Sequence, residues 1–210
     1  MPTVPMFPLQ VAMLPGEELP LRIFEPRYTA LVAACLAADD PVFGTVLIAA
    51  GREVGGGDTR SDVGALAHIT DHLDQGAGRY RLKCTMGERI RVIEWLPDDP
   101  YPRAVVEVWP DEPGLPVDVE KIRDIEDRMV AVFARIAAQR GVEVDARGVV
   151  AGADESGDAA TWLYALSGRL PLGQADRYAV LAAPTVAERV AALSDAVDTV
   201  AAMVEFGLSE

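Results

Sequence analysis

The sequence predicts an α+β protein in which an antiparallel β pseudo-barrel with one helix is followed by an α-helical bundle. The first 112 residues contain six or seven short apolar or alternating segments at hairpin spacing, which is typical of a closed antiparallel sheet. Beyond residue 117, apolar residues recur every three or four positions, which indicates helices. Residues 110–116, PDEPGLP, hold three prolines that exclude both a helix and a central strand. We therefore expect two domains, at residues 1–112 and 117–210.

The stretch FPLQVAMLPGEELPLRIFEPRY near the start contains the first elements of the fold. Its apolar run at residues 11–14 has the length of a strand. Pro15-Gly16 predicts a turn, because Pro fixes φ and Gly tolerates positive φ. A second strand is predicted at residues 19–24. Because Pro20 has no N–H for a ladder hydrogen bond, we expect it at the start of a strand or on a sheet edge.

Glu25 and Pro26 predict the start of a helix that runs to residue 38. Pro at the first helical position gives up only an N–H that would have no partner, and Glu25 places negative charge near the positive end of the helix dipole. Apolar residues then follow at helical spacing and predict one buried stripe: Tyr28, Leu31, Val32, Cys35 and Leu36.

Five further strands are predicted from their length and alternation, at residues 42–50, 63–73, 79–86, 88–96 and 104–109. Gly87 is expected to form a bulge or a tight bend between two of them. The polar segment at residues 51–62 holds four glycines and is predicted to be a mobile surface loop. A phosphate-binding role is not predicted for it, because it has no GxxxxGK[ST] motif and a strand follows it.

Four helices are predicted in the second half, at residues 118–140, 158–167, 173–181 and 185–203. Asp118 and Asp158 are placed to cap two of these helices, and Gly141 to end the first. Thr185 has Glu188 three residues after it, which is the spacing of a capping box. The Gly-rich and acidic segment at residues 142–157 is predicted to be a mobile loop.

The net charge of −14 disfavours contact with the phosphate backbones of nucleic acids. A local exception is a set of cations at alternate positions of two predicted strands, which a hairpin would gather on one face: Arg79, Arg81, Lys83, Arg89 and Arg91. A solvated sheet face is the simpler interpretation, and RNA binding is the alternative. Arginine supplies 17 of the 19 basic residues, which indicates a GC-rich bacterial genome.

No motif in the sequence predicts catalysis or a cofactor. His68 and His72 are four residues apart, and on a strand this spacing separates them by about 13 Å, too far to share one metal ion. Cys35 and Cys84 show no metal-ligand spacing and are expected to be buried, reduced thiols. No serine lies in a GxSxG motif. We expect no enzyme, cofactor or metal site; an enzyme with a carboxylate-based site that no motif announces is the alternative.

The sequence also gives an expectation about location. No apolar run approaches the roughly 20 residues that span a bilayer, and the N-terminus lacks the basic and apolar regions of a secretory signal. We therefore expect a cytoplasmic protein with no membrane partner.

The stretch FPLQVAMLPGEELPLRIFEPRY resembles the opening signature of the N-terminal substrate-recognition domain of the ATP-dependent protease Lon, a domain that also occurs alone in bacteria and inside cereblon. Further matches follow in the family's order, at FGTVLI, GREV, VGALAHI, GERIRV, the dipeptide Pro100-Tyr101 and a helical segment over residues 170–192. The likeness covers nearly the whole chain. It implies a PUA-like pseudo-barrel and a domain that recognises polypeptides without cutting them.

Lon-type proteases add an ATPase module and a protease domain with a Ser-Lys dyad, and this chain ends before either would begin. The resemblance therefore implies a recognition module, an adaptor in proteolysis or protein quality control. Its expected partner is an unfolded or tagged polypeptide or a protease, and the acidic surface favours basic or neutral clients. The sequence does not predict the oligomeric state.

We expect the binding surface to lie between the barrel and the bundle, because the junction of two unlike domains is a usual place for a groove. The candidate side chains are Met13, Leu14, Phe24, Tyr28 and Tyr101. Tyr101 lies between two prolines on a connector and is expected to be exposed. The other four also fit positions in the hydrophobic core.

Overall fold

The computed structural model describes residues 1–50, 59–151 and 158–207. Internal contacts divide the chain into two units, Met1–Pro110 and Asp111–Glu210. None of the helices within the described ranges combines the length and the apolar composition that crossing a lipid bilayer requires.

The first unit is a six-stranded sheet with one helix. Its elements are β1 (Thr3–Leu9), β2 (Glu18–Ile23), α1 (Pro26–Leu36), β3 (Val42–Ala50), β4 (Thr59–Asp74), β5 (Tyr80–Leu96) and β6 (Arg103–Val108). The strand order is β2-β5-β4-β3-β1-β6, and β6 pairs with β5 as well as with β1. Five strands therefore pair in a closed ring, and β2 lies outside the ring against β5. The predicted α+β class is confirmed, except that β1 and β3 pair in parallel.

The first strand is not where the sequence predicted it. β1 occupies Thr3–Leu9, whereas residues 11–14 form an irregular segment before the turn. The apolar run there is explained by burial without strand pairing, since Ala12 and Leu14 are buried. The predicted turn at Pro15-Gly16 is confirmed, with a φ of +84° at Gly16.

The next two elements follow the prediction closely. β2 is an edge strand that carries Pro20, as its missing N–H requires. Glu25 is the N-cap residue of α1 and Pro26 its first residue, although the Glu25 side chain makes no capping hydrogen bond. The helix ends at Leu36, before the predicted residue 38.

The two strands predicted at residues 79–86 and 88–96 are one continuous strand, β5. Gly87 forms the predicted bulge, because the pairing with β4 shifts between Ala65 and Ala67. A side chain at Gly87 would collide with the ring of His68 on β4. The bulge thus shifts the register without ending the strand. β4 begins at Thr59, inside the predicted loop at residues 51–62, and residues 51–58 of that loop lie outside the described residues.

Two groups of buried apolar side chains fill the first unit. The larger group lies between α1 and the sheet and includes Phe7, Leu31, Phe43 and Leu82. The smaller group is formed where β1, β3, β5 and β6 meet and includes Met6, Val46, Ile90 and Val106.

The second unit contains five described helices, not four. They are α2 (Val119–Gln139), α3 (Ala146–Val150), α4 (Ala159–Ser167), α5 (Gln174–Ala182) and α6 (Val186–Gly207). The short helix α3 lies in the segment predicted as a loop, of which residues 152–157 lie outside the described residues. Its Asp145 side chain accepts a hydrogen bond from the Gly148 amide, so it has a cap of its own.

The predicted helix caps of the second unit are confirmed. Asp118 accepts a hydrogen bond from the Glu120 amide, and Asp158 from the Thr161 amide. At the start of α6, the Glu188 amide donates to the Thr185 hydroxyl while the Thr185 amide donates to the Glu188 carboxylate, which is a complete capping box.

Candidate functional site

The outer edge of β2 is the first feature of a candidate site. In the described part of the chain, β5 is the only strand that pairs with β2. The Gly16 amide donates to the Met86 carbonyl, and the Met86 amide donates to the Glu17 carbonyl. Backbone groups alternate in direction along a strand, and the Glu17 carbonyl faces β5, so the odd-numbered residues of β2 direct their N–H and C=O groups toward β5. The even-numbered residues of β2 direct their backbone groups away from β5: Glu18, Pro20 and Arg22.

These three residues make β2 a short open edge with a defined pattern of backbone groups. Glu18 and Arg22 each present one N–H and one C=O, and Pro20 presents only a C=O. A second extended chain could therefore pair with this edge over the six residues of the strand. Pro20 removes one donor from the middle of the edge.

A shallow cavity of about 580 Å³ lies on the outer face of the sheet beside this edge. The strand register explains which side chains line it, because residues in one cross-strand row point to the same face. The side chains of two such rows point outward. One row contains Arg22, Arg81 and Leu73. The other contains Pro20, Lys83 and Asp71.

The charge of this cavity is opposite to that of the whole chain. Three of its lining side chains are basic and one is acidic, which gives +2 in a chain of net charge −14. Arg22 and Arg81 lie directly opposite each other on β2 and β5. Neither forms an ion pair with a carboxylate of the described residues, whereas Lys83 lies 4.0 Å from Asp71. Like charges in directly opposed strand positions repel each other.

Apolar surface adjoins the same edge. Phe24 follows the last residue of β2 and is 64% exposed. Leu73, in the row of Arg22 and Arg81, is 57% exposed. The edge, the cavity and these two side chains together form what we call the β2 surface.

Of the five predicted binding residues, the structure places only Phe24 on the β2 surface. Leu14 and Tyr28 are buried, and the Tyr28 ring stacks on Phe7 with ring centroids 4.0 Å apart. Met13 and Tyr101 are partly buried and pack against the larger core group. The expected exposure of Tyr101 is therefore wrong, because its ring packs against the core although two prolines flank it.

The basic residues predicted to share one face of a hairpin do not form one exposed face, because the predicted hairpin is the single strand β5. Arg81 and Lys83 are exposed, whereas Arg89 is buried. The guanidinium groups of Arg89 and Arg91 lie 4.4 and 3.9 Å from the centre of the Trp109 ring. These cations therefore do not form one exposed stripe of the kind that binds a nucleic-acid backbone.

The two thiols have the properties of core residues. Burial raises the pKa of Cys35 to about 11. Burial, together with the neighbouring Cys35, raises the pKa of Cys84 to about 12. Both thiols are therefore protonated at neutral pH, and a protonated thiol is a poor nucleophile.

The histidines do not suggest a metal site. His68 lies on β4 with its Nε2 3.4 Å from the Glu88 carboxylate and its Nδ1 3.8 Å from Asp40. Across the described ranges, no group of three or more His, Cys, Asp or Glu side chains is arranged to hold a metal ion.

The second unit has a groove between α2 and α6. Near the start of both helices it forms a cavity of about 570 Å³, with Ile125 and Val190 among its lining residues. Arg128 lies at this groove and donates to Asp198 and Ser194 at 2.6 and 2.7 Å.

A family model described as the ATP-dependent protease La (LON) substrate-binding domain matches residues 3–199. Among solved structures, the chain resembles a Lon N-terminal domain protein from Xanthomonas campestris, with 22% identity, a TM-score of 0.63, and coverage of 92% of this chain and 97% of that one. It also resembles the N-terminal domain of a Mycobacterium avium complex Lon protease, with 16% identity, a TM-score of 0.62, and coverage of 94% and 98%. At these identities the two structures show a shared fold. No curated protein gives a significant match to the sequence.

Proposed function

Because this chain belongs to the family of ATP-dependent protease La (LON) substrate-binding domains, we propose that it recognises polypeptides and has no catalytic activity of its own. The client in this proposal is an unfolded or tagged polypeptide segment in extended conformation. The protein binds it in the cytoplasm and presents it for proteolysis or quality control, as an adaptor.

The open edge of β2 is the observation that carries this proposal. An extended segment binds by adding a strand to an exposed sheet edge, where backbone hydrogen bonds provide affinity without requiring one client sequence. Glu18 and Arg22 offer their outward amides and carbonyls for such pairing. At about 3.4 Å per residue, the six-residue edge is about 20 Å long and takes a client segment of similar length.

Phe24 adds apolar contact at the end of that edge. Its side chain is 64% exposed, so a client side chain that covers it removes apolar area from water. Unfolded chains expose apolar side chains that folded proteins bury. The combination of an edge and an exposed ring therefore favours unfolded segments over folded surfaces.

The affinity in this proposal is modest. An unfolded client loses chain entropy when it becomes a strand, and this loss offsets part of the hydrogen-bond and contact energy. Pro20 cannot donate, so the edge makes fewer hydrogen bonds than a strand without proline. Weak, reversible binding suits a module that must release its client.

Amide hydrogen exchange by NMR tests the proposal at single residues. In the protein alone, the amides of Glu18 and Arg22 should exchange fast, and those of Leu19 and Leu21 slowly because they pair with β5. Adding peptides of about 12 residues from unfolded casein should slow exchange at Glu18 and Arg22. The same peptides with a methyl group on every backbone amide nitrogen serve as the control and should give no protection, because neither edge of such a peptide can donate to β2.

Two results would contradict the proposal. One is protection by casein peptides at other residues while Glu18 and Arg22 stay unprotected. The other is equal protection by the N-methylated peptides, because these cannot complete a strand pairing.

A further inference from the structure

We infer that the cavity beside β2 selects clients that carry an acidic side chain, whose carboxylate binds between Arg22 and Arg81. This inference rests on the proposed function and adds a client class to it. In this inference the cavity binds an Asp or Glu side chain of the polypeptide that pairs with β2.

The charges in the cavity are arranged unfavourably. Arg22 and Arg81 are directly opposed on neighbouring strands and both are exposed. Neither pairs with a carboxylate of the described residues, in a chain with 33 acidic and 19 basic residues. A carboxylate placed between two such guanidinium groups would change a repulsive pair into two attractive contacts, and guanidinium binds carboxylate with two parallel hydrogen bonds.

A client side chain at the open edge of β2 would lie within reach of this arginine pair. A client strand on the open edge would lie about 4.8 Å from β2, and its side chain opposite Arg22 would point to the same outer face. Arg81 is one strand further away, about 10 Å from the client backbone. The long side chains of Arg81 and of a client Glu can span this distance. Leu73, in the same row, provides apolar surface for the methylene groups.

The net charge and the cavity charge act on a client over different distances. The net charge of −14 predicts repulsion of acidic clients at a distance. At physiological salt that repulsion is screened beyond about 8 Å, whereas the contacts in the cavity are at hydrogen-bond distance. The inferred preference for acidic clients at the contact surface thus differs from the preference for basic or neutral clients that the net charge predicts. Long-range charge should still slow association with acidic clients at low salt.

Three peptides that differ only at one central residue test the inference. The peptides are extended 12-residue sequences with Glu, Gln or Lys at the centre, and their affinity is measured by fluorescence anisotropy at about 0.15 M salt. We expect the Glu peptide to bind about five-fold more tightly than the Lys peptide, a factor typical of exposed ion pairs. The Gln peptide should lie between them.

Charge-reversed proteins complete the experiment. Arg81→Glu changes the charge of the cavity from +2 to 0 and should remove the preference for the Glu peptide over the Lys peptide. Arg123→Glu changes the net charge equally on an exposed site of α2 and should keep the wild-type order. The amide spectra of both variants must match that of the wild type, which shows that the fold is retained.

The outcomes separate the inference from the proposed function. If all three peptides protect the amides of Glu18 and Arg22 with equal affinity, acidic selection is wrong and strand addition stands. If the order of affinities is the same for the wild type and Arg81→Glu, the cavity is not the site that binds the acidic side chain, and the inference is wrong. If no peptide protects these amides, both the inference and the proposed function fail.

Discussion

Arg189 and Asp111 form a two-pronged ion pair, with guanidinium nitrogens 3.0 and 2.5 Å from the two carboxylate oxygens. The Arg189 side chain is fully buried, and its guanidinium lies 4.3 Å from the centre of the Tyr164 ring. Its Nε donates to the Val180 carbonyl at 3.4 Å. One side chain therefore connects α6, α5 and α4 with the segment that precedes α2.

Removal of either partner of this pair should destabilise the second unit by different amounts. Asp111→Ala leaves the charge of Arg189 buried without its carboxylate and should cost about 3 to 5 kcal/mol. Arg189→Met leaves Asp111, which is 26% exposed and can be hydrated, and should cost about 1 to 2 kcal/mol. Urea unfolding measures both. Asp127→Ala removes an exposed ion pair with Arg147 and is the control, with a loss below about 1 kcal/mol.

The comparison of the two losses in unfolding free energy shows whether charge or packing dominates at this pair. If Arg189→Met destabilised the protein more than Asp111→Ala, packing of the Arg189 side chain rather than its charge would dominate.

The surroundings of the Glu88 carboxylate give a prediction about pH. A hydrogen bond to its own backbone amide, and the His68 ring 3.4 Å away, hold the pKa of Glu88 below its ordinary value. A lowered folded-state pKa stabilises the protein above the unfolded pKa of about 4.3, and this stabilisation is lost as the pH falls through the folded value. Glu88→Gln should therefore lower the melting temperature slightly at pH 7 and leave it unchanged at about pH 3.

Thermal melts of the wild type, Glu88→Gln and Glu94→Gln at both pH values measure this effect. Glu94 lies on the same strand and is exposed, so its substitution is the control. A difference between the wild type and Glu88→Gln that persisted at low pH would exclude an electrostatic origin.

The buried thiols should be protected from alkylation in the folded protein. Burial raises the pKa of Cys35 to about 11 and of Cys84 to about 12, so few thiolates exist at pH 8. Iodoacetamide should label neither cysteine in the native protein at pH 8 and both in urea, as read by mass spectrometry. Glutathione in the same tube controls for reagent activity. Rapid native labelling of either thiol would show that the larger core opens locally.

Phe24 should contribute to client binding without contributing to stability. Phe24→Ala removes an exposed ring and should weaken binding of casein peptides about five-fold, with a stability change below about 0.5 kcal/mol. Val108→Ala, at a 56% exposed position on β6, is the matched control and should bind normally. Equal affinity of both variants for the casein peptides would show that the Phe24 ring does not contribute to client binding.

Local sequence patterns were sufficient to predict most of the helices and strands. The α+β class, the caps at Asp118 and Thr185 and the edge position of Pro20 each depend on a few neighbouring residues, and each is confirmed. The helix α3 was missed because five residues are too few to show a helical period. β5 was divided at Gly87 because a glycine within a strand pattern is typical of both a bend and a bulge.

The β2 surface could not be predicted in the same way. It exists because Arg22 on β2, Arg81 on β5 and Leu73 on β4 occupy one cross-strand row. Their distance in sequence hides this relationship, and a shift of one residue in the register would turn each side chain to the other face. The partial burial of Tyr101 likewise depends on a contact with the core that its sequence neighbours do not predict.

If a client pairs with β2 as proposed, the single donor that Pro20 lacks has a mechanical consequence. The client ladder can have at most five hydrogen bonds, two at Glu18, one at Pro20 and two at Arg22. On its other side β2 can make six hydrogen bonds to β5, two each at Leu19, Leu21 and Ile23, and Gly16 and Glu17 add two more. β5 is itself paired with β4 and β6. Under a pulling force along the strand, the client ladder is the weaker of the two in series and should rupture first. In the proposed complex, such a force would thus detach the client and leave the sheet folded.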